Sequence, residues 1–419
     1  MKKAIVILAL AGLTLSAFGQ EAKPSVEVHG FIRNYYAVDT REMVGLTEDF
    51  FTYVPKDGDE YGYVNSRFAA LTSRLWVEVK GYEVEGFKVG ARIEGDFYNG
   101  LGNDKVTGTA SLRLRQAFVT LAKESWTFKA GQSWHPMAAD MPDIFSLNTG
   151  APFGPFSRTP LTSLEYKVSD ALSFTLSGLW QMQYASSGPS GKSASYIKWS
   201  GTPETYLGAS FKNGDLLLRA GLDMLSIKPR LKDETTKEFV ADRITTLTPF
   251  FYAQWKKDAF SVKFKTVFAQ AGEHVNLNGG YGVKSVSTAA DGTKTYEYTP
   301  TRNSSSWLSL KYAPGKVDYI LFAGYVKNIG TIDALDGAAG VPTGFWFSGN
   351  SFNNLCSMCR LTPTAVYNLG KLALGLEYEL TGAQYGDTAA GMNLSSGLYD
   401  QNLHWVVNHR IQGLIKYTF

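Results

Sequence analysis

The sequence predicts an all-β fold: a transmembrane, antiparallel up-and-down β-barrel of sixteen strands with short turns at one end and long loops at the other. Three observations predict it. Segments that alternate apolar and polar residues recur along the chain, each about the 9–11 residues that a tilted strand needs to cross hydrocarbon. The connections between them alternate between short and long. The last segment, Ile415-Lys416-Tyr417-Thr418-Phe419, ends on an aromatic residue with Ile415, Tyr417 and Phe419 on one face.

The N-terminus has a different character. Lys2 and Lys3 precede an apolar run from Ala4 to Leu15, and Ala17-Phe18-Gly19 forms a small-x-small cleavage site before Gln20. This pattern is expected of a signal peptide over residues 1–19, with the barrel over residues 20–419. The apolar run is too short to span a bilayer as a helix. No cysteine follows the cleavage site to take a lipid anchor, and no later segment has 18 consecutive apolar residues. Lys+Arg 41 against Asp+Glu 38 gives +3, and removing two lysines leaves +3 − 2 = +1, so nothing points to nucleic acid.

The strands follow in order. Predicted spans are 26–40, 70–82, 87–98, 111–121, 126–134, 161–168, 172–184, 204–212, 216–227, 246–256, 260–271, 305–313, 317–327, 357–367, 372–382 and 404–419. The third is the clearest: Phe87, Val89, Ala91, Ile93 and Phe97 alternate with Lys88, Arg92, Glu94 and Asp96. In the second, Leu71, Leu75, Val77 and Val79 oppose Arg74, Glu78 and Lys80. In the fifteenth, Leu372, Leu374, Leu376 and Leu380 oppose Glu377 and Glu379. The fourth is less regular. Its polar face, Arg113 and Arg115, runs into Ala117, Val119 and Leu121, which calls for a bulge or a dry patch of wall. After every even strand the connection is short, as at Glu83–Gly86, Lys123–Ser125, Asn213–Asp215 and Lys257–Ala259; after every odd strand it is long and rich in Gly, Ser, Thr, Asn and Asp. A soluble sandwich has no reason to sort its loops this way. Trp126, Trp134, Tyr166, Trp255, Tyr312, Tyr319, Tyr367 and Tyr417 fall near strand ends, where aromatic girdles meet the lipid interface.

Several motifs carry a family resemblance. Val28-His29-Gly30-Phe31-Ile32-Arg33, Leu112-Arg113-Leu114-Arg115-Gln116-Ala117-Phe118 and Phe128-Lys129-Ala130-Gly131-Gln132 resemble the phosphate-selective porin O/P and DcaP-like group within the trimeric Gram-negative porins, and the overall style is similar to Bacteroidota-type general porins. The resemblance implies a homotrimer in outer-membrane lipid, each subunit with its own pore and its second outer loop, near Asn99–Thr109, against a neighbour. The terminal Phe419 resembles the signal read by the barrel-assembly machinery. Phosphate-selective members carry an arginine ladder and a lysine cluster at the eyelet. No such ladder matches here residue by residue, so phosphate selectivity does not carry over.

Sixteen strands leave an aqueous channel, and what narrows it sets selectivity. The third outer connection, His135 to Pro160, holds Met137, Met141, Ile144, Phe145, Phe153 and Phe156, which are unsuited to water and are expected to bury against the inside wall. Folded inward, Asp140 and Asp143 would face the pore constriction from one side, with Arg33, Arg74, Arg92, Arg113 and Arg115 on the other. The alternative for each arginine is pairing with Glu78, Glu94 or Asp96. Lys80, Lys129, Arg219, Lys263, Lys265, Arg360, Arg410 and Lys416 also read as inward-facing, which gives a weak anion preference. The expected function is passive diffusion of small hydrophilic solutes. A substrate-specific channel for phosphate, dicarboxylates or sugars is the alternative, and an enzyme or adhesin on a barrel scaffold the third reading. Cys356 and Cys359, spaced C-x-x-C at the seventh outer loop, form either a local disulfide or two free thiols. His29, His135, His274, His404 and His409 are scattered, and no nucleophile elbow or phosphate loop occurs, so no catalytic, cofactor or metal site is expected.

Overall fold

The structure is a computed structural model and describes residues 24–46, 51–97, 111–146, 150–337, 344–347 and 353–419. The signal-peptide segment 1–19 and the second-loop stretch Asn99–Thr109 lie outside these residues. Sixteen strands form the wall: β1 (Ser25–Asp39), β2 (Arg74–Val84), β3 (Phe87–Asp96), β4 (Arg113–Lys123), β5 (Trp126–Trp134), β6 (Arg158–Lys167), β7 (Leu172–Leu179), β8 (Glu204–Asn213), β9 (Leu216–Ile227), β10 (Ile244–Lys257), β11 (Phe260–Gln270), β12 (Lys294–Tyr312), β13 (Val317–Thr331), β14 (Leu355–Leu369), β15 (Leu372–Tyr385) and β16 (His404–Thr418). Each pairs antiparallel with its neighbours, and β16 closes the cylinder on β1, from Phe31 opposite Thr418 to Asp39 opposite Arg410. Closure leaves no unpaired edge, which is what lets strands cross a medium without water.

The period of two sorts the side chains. On β1, Val28, Ile32 and Tyr36 are exposed outward, whereas Phe31, Tyr35, Ala37 and Asp39 are buried inside. Around the belt, Leu164, Leu176, Leu207 and Leu222 stand side by side on β6 to β9, all exposed. Tight turns join the strands at one end; Glu85, Glu124 and Asp258 take positive φ there. Near that end Trp126, Tyr166, Trp255, Tyr312, Tyr319, Tyr367 and Tyr417 point outward and exposed. Trp134 does not belong to this girdle. It turns inward against Phe156, with Arg158 over its ring at 4.7 Å. The terminal ring has its own seat: a Cβ on Gly30 would lie 2.4 Å from Phe419 Cζ, so only glycine admits it. The Phe419 amide donates to the Gly30 carbonyl at 3.0 Å.

One expectation of the sequence reading is met and two are corrected, each with a physical cause. The irregularity on β4 is a bulge: Glu94 pairs with Gln116 and Gly95 with Leu114, so Arg115 is the extra residue and turns inward with Arg113 and Gln116. Strand β12 begins at Lys294 rather than 305, because its first residues pair with a strand over Gly280–Thr288 in a hairpin. Cys356 and Cys359 lie on β14, not in a loop, and both thiols are free. Three residues of extended strand span about 10 Å, beyond the about 7 Å that a disulfide bridges between Cα atoms. The Cys356 thiol donates instead to the Tyr399 carbonyl at 3.1 Å.

Candidate solute pathway

The third loop leaves the wall at His135, after β5, and rejoins it at Arg158 on β6. Between these points it crosses the lumen. Met137, Phe145, Phe153 and Phe156 are buried, and Met141 and Ile144 pack against the same cluster. Each buried aromatic ring contributes about 1.5–3 kcal/mol, so this segment is more stable inside than in water. Polar contacts fix its course. Tyr35 Oη on β1 donates to the Phe145 carbonyl at 2.5 Å, and the Phe145 amide donates to Glu377 Oε2 on β15 at 3.3 Å. The Asp143 amide donates to Ser309 Oγ on β12 at 3.0 Å, and Arg360 Nη1 on β14 donates to the Ala151 carbonyl at 3.1 Å.

Two further loops enter the lumen, and the alternation pattern had not exposed them. Residues Phe51–Pro55 of the first loop are all buried. Arg360 Nη2 donates to the Tyr53 carbonyl at 2.9 Å, and Tyr385 Oη to the Pro55 carbonyl at 2.8 Å. From the sixth loop, the turn Gly272–Val275 reaches in: the Phe156 amide donates to the Val275 carbonyl at 2.8 Å, and Tyr53 Oη to Asn276 Oδ1 at 2.7 Å. First, third and sixth loops therefore brace one another across the long-loop end. The short-turn end stays open as a vestibule along β6 to β10, lined by Glu165, Lys167, Lys212, Gln254 and Lys256 and reaching Arg219.

The predicted site residues fall into two groups. Asp140 accepts from Arg219 Nη1 on β9 at 2.6 and 2.7 Å, and Asp143 from Lys263 Nζ on β11 at 2.9 Å. Lys265 Nζ donates to the Met137 carbonyl at 2.7 Å. The loop acids are thus paired with cations of β9 and β11, the wall against which the loop lies, rather than left opposite the arginines of β1 to β4.

Those arginines sit over acids of their own. Register places Glu78 opposite Arg92 and Arg74 opposite Asp96 on β2 and β3, and Asp96 opposite Arg113 on β3 and β4. Opposite charges directly across strands attract. Arg113 makes a bidentate pair with Asp96 at 2.9 and 2.8 Å, Arg115 Nε bonds Glu94 at 2.6 Å, and Arg92 Nη1 bonds Glu78 at 2.7 Å. Arg74 lies 3.3 Å from Glu94. Exposure decides what a solute meets: Arg74, Arg92 and Arg113 are 22%, 26% and 26% exposed, whereas Glu94 and Asp96 are 1% exposed. Glu94 and Asp96 form a buried layer with Arg115, and the guanidinium groups of Arg74, Arg92 and Arg113 lie over them beside a part-exposed Glu78. Arg33 Nε donates to Thr72 Oγ1 at 3.0 Å, and Arg33 shares the Phe31 ring with Arg74 and Lys416 at 4.9, 5.2 and 5.2 Å. Within this cluster, five arginines against Glu78, Glu94 and Asp96 give +5 − 3 = +2.

No family model matches the sequence, and no curated protein matches it. The fold, by contrast, is similar to that of solved outer-membrane barrels. It is similar to the outer membrane channel DcaP of Acinetobacter baumannii, at 17% identity over 97% of this chain and 100% of that one, with a TM-score of 0.65. OmpT, an outer membrane protein of Vibrio cholerae, matches at 9% identity over 96% of this chain and 100% of that one, TM-score 0.55. The anion-selective porin from Comamonas acidovorans matches at 11% over 95% and 100%, TM-score 0.53. At these identities the likeness is one of fold.

Proposed function

We propose that this protein is a porin of the Gram-negative outer membrane, a homotrimer whose subunits each pass small hydrophilic solutes by diffusion with a weak preference for anions. The observation that carries the reading is the sorting of chemistry across the wall. The outer face is a continuous apolar belt with an aromatic girdle, while the enclosed face is charged, with guanidinium groups over buried carboxylates. An apolar exterior suits lipid, and a charged, loop-narrowed interior sets selectivity through local fields. The barrel architecture it shares with a channel and an anion-selective porin supports the reading. It includes export by cleavage after Gly19 and assembly guided by Phe419.

Planar-bilayer recording tests this. The purified protein should give ohmic steps, and a salt gradient should give a reversal potential displaced toward that of the anion. Replacing Arg74 and Arg113 with serine should move the reversal potential toward the cation side. An unchanged potential would remove the basic wall from the selectivity argument. A substrate-specific channel is favoured by one observation, the three loops that enter the lumen. Current blocked by added phosphate, dicarboxylates or sugars would support it over the general pore.

A further inference from the structure

Four ionisable side chains from distant parts of the chain converge at the long-loop end of the lumen. His135 opens the third loop, Glu204 opens β8, Asp223 lies on β9, and His274 sits in the inward turn of the sixth loop. All four are at most 2% exposed. His135 Nε2 lies 2.8 Å from Glu204 Oε1, and His274 Nε2 lies 3.2 Å from Glu204 Oε1 and 3.8 Å from Asp223 Oδ2. The ligand atoms of His135, Glu204 and Asp223 fall within 4.8 Å of one another.

The hydrogen-bond partners distinguish the two rings. His135 Nδ1 accepts from the Met137 amide at 3.2 Å, so its ring proton is on Nε2 and is donated to Glu204. His274 Nδ1 lies 3.1 Å from the Ala271 carbonyl, which can only accept, so Nδ1 carries a proton and Nε2 turns toward the carboxylates. Neither His274 Nε2 nor Asp223 Oδ1 has a hydrogen-bond partner, though both are buried. Such groups are rare without a ligand or ion. Two buried carboxylates facing one lone pair need positive charge between them. A proton on His274 supplies half of it; a dication supplies all.

We propose that this cluster binds one first-row transition dication, zinc(II) foremost, through His274 Nε2, Glu204 and Asp223. Metal–ligand bonds of about 2.0–2.1 Å put neighbouring ligand atoms about 3.0–3.4 Å apart, near the 3.2 and 3.8 Å found here. An imidazole nitrogen among so few oxygens suits zinc and disfavours calcium, which takes six to eight oxygens. The Ala271 carbonyl fixes the His274 tautomer, as outer partners of ligating histidines do. His135 is a positioning residue that holds the Glu204 carboxylate. The ion would tie the third loop, the sixth loop and the β8–β9 wall together at the long-loop end of the lumen.

The test uses the full untagged chain, refolded in detergent, with Cys356→Ser and Cys359→Ser so that thiols do not compete. After stripping with EDTA, calorimetric titration with zinc(II) should show one site per chain with Kd in the micromolar range or tighter. Calcium should bind at least ten-fold more weakly, and zinc should raise the unfolding temperature. His274→Gln and Asp223→Asn should each weaken zinc at least ten-fold. His135→Ala should weaken it as well, while His135→Gln, which keeps an N–H donor toward Glu204, should restore most of the affinity. If a variant fails to fold, cobalt(II) bound to the parent chain reads the ligand set by its visible absorption, and a six-oxygen spectrum without nitrogen counts against the proposal. No saturable zinc binding, equal affinity in His274→Gln, or preference for calcium would each overturn it.

Discussion

At the scale of single residues, the most exacting arrangement is the buried pair of Asp39 and Arg410. Both are at most 1% exposed, and Arg410 bonds the two carboxylate oxygens at 2.8 Å each. A buried ion pair adds little over an apolar pair of the same shape, but removing one partner strands the other. Asp39→Asn should therefore destabilise the barrel by about 3–5 kcal/mol, read as a lower urea midpoint in detergent. The double replacement Asp39→Leu with Arg410→Met should lose less than either single change. The same logic shows which site residues can be read from a chain. Arg74, Arg92 and Arg113 fall on the inner face by parity alone, and their partners Glu78 and Asp96 follow once neighbouring strands are set in register. The partners of Asp140 and Asp143 do not follow, because they depend on how a loop crosses open space to β9 and β11. His135, Glu204, Asp223 and His274 are invisible as a cluster for the same reason; each sits on a different element.

At the scale of elements, wall strands carry their own signal and inward loops borrow theirs from the wall. The predicted spans 126–134 and 216–227 match β5 and β9, since alternation and turn residues bound both ends. The early start of β12 had a local signal too, a turn at Ala289–Thr293 between alternating flanks, with Gly292 at positive φ. What chain patterning lacks is the socket into which a loop fits. Phe153 fills one: a Cβ on Gly324 of β13 would lie 2.4 Å from its Cγ. Gly324→Val should expel the ring, free the third loop and make it cleavable by added protease with the wall strands intact. Phe153→Ala should cost about 3–5 kcal/mol in the same unfolding assay. The fifth loop offers a pH-dependent case. Asp233 accepts from the amides of Thr236, Lys294 and Thr235 at 2.9, 3.1 and 2.8 Å, and the Thr236 amide first among them holds its carboxyl well below the usual range. A depressed carboxyl stabilises the loop above its ordinary titration range and loses that contribution as pH falls through the folded value. Amide exchange at Thr235 and Thr236 should thus stay protected near neutrality and accelerate in strong acid. Asp233→Asn should show fast exchange at both.

At the scale of the whole molecule, the decisive question is which medium touches the outer face, and two adjacent residues can answer it. On β7, Leu176 points outward, half exposed, flanked by Leu164 and Leu207 on the neighbouring strands. Thr175 points into the lumen, opposite Glu165. An arginine at either position adds the same charge and nearly the same bulk to the same strand, so differences in strand propensity cancel. Toward hydrocarbon, a midplane arginine costs about 2–4 kcal/mol, whereas in the lumen it meets water and the Glu165 carboxylate. Leu176→Arg should therefore lower the urea stability of protein folded into phospholipid vesicles by about that amount, and Thr175→Arg should change it by no more than about 0.5 kcal/mol. If the outer face lay in water, Leu176→Arg would remove one leucine from an exposed row and cost no more than its neighbour. Equal, small effects at the two positions would take away the lipid, and with it the reason for a channel at all.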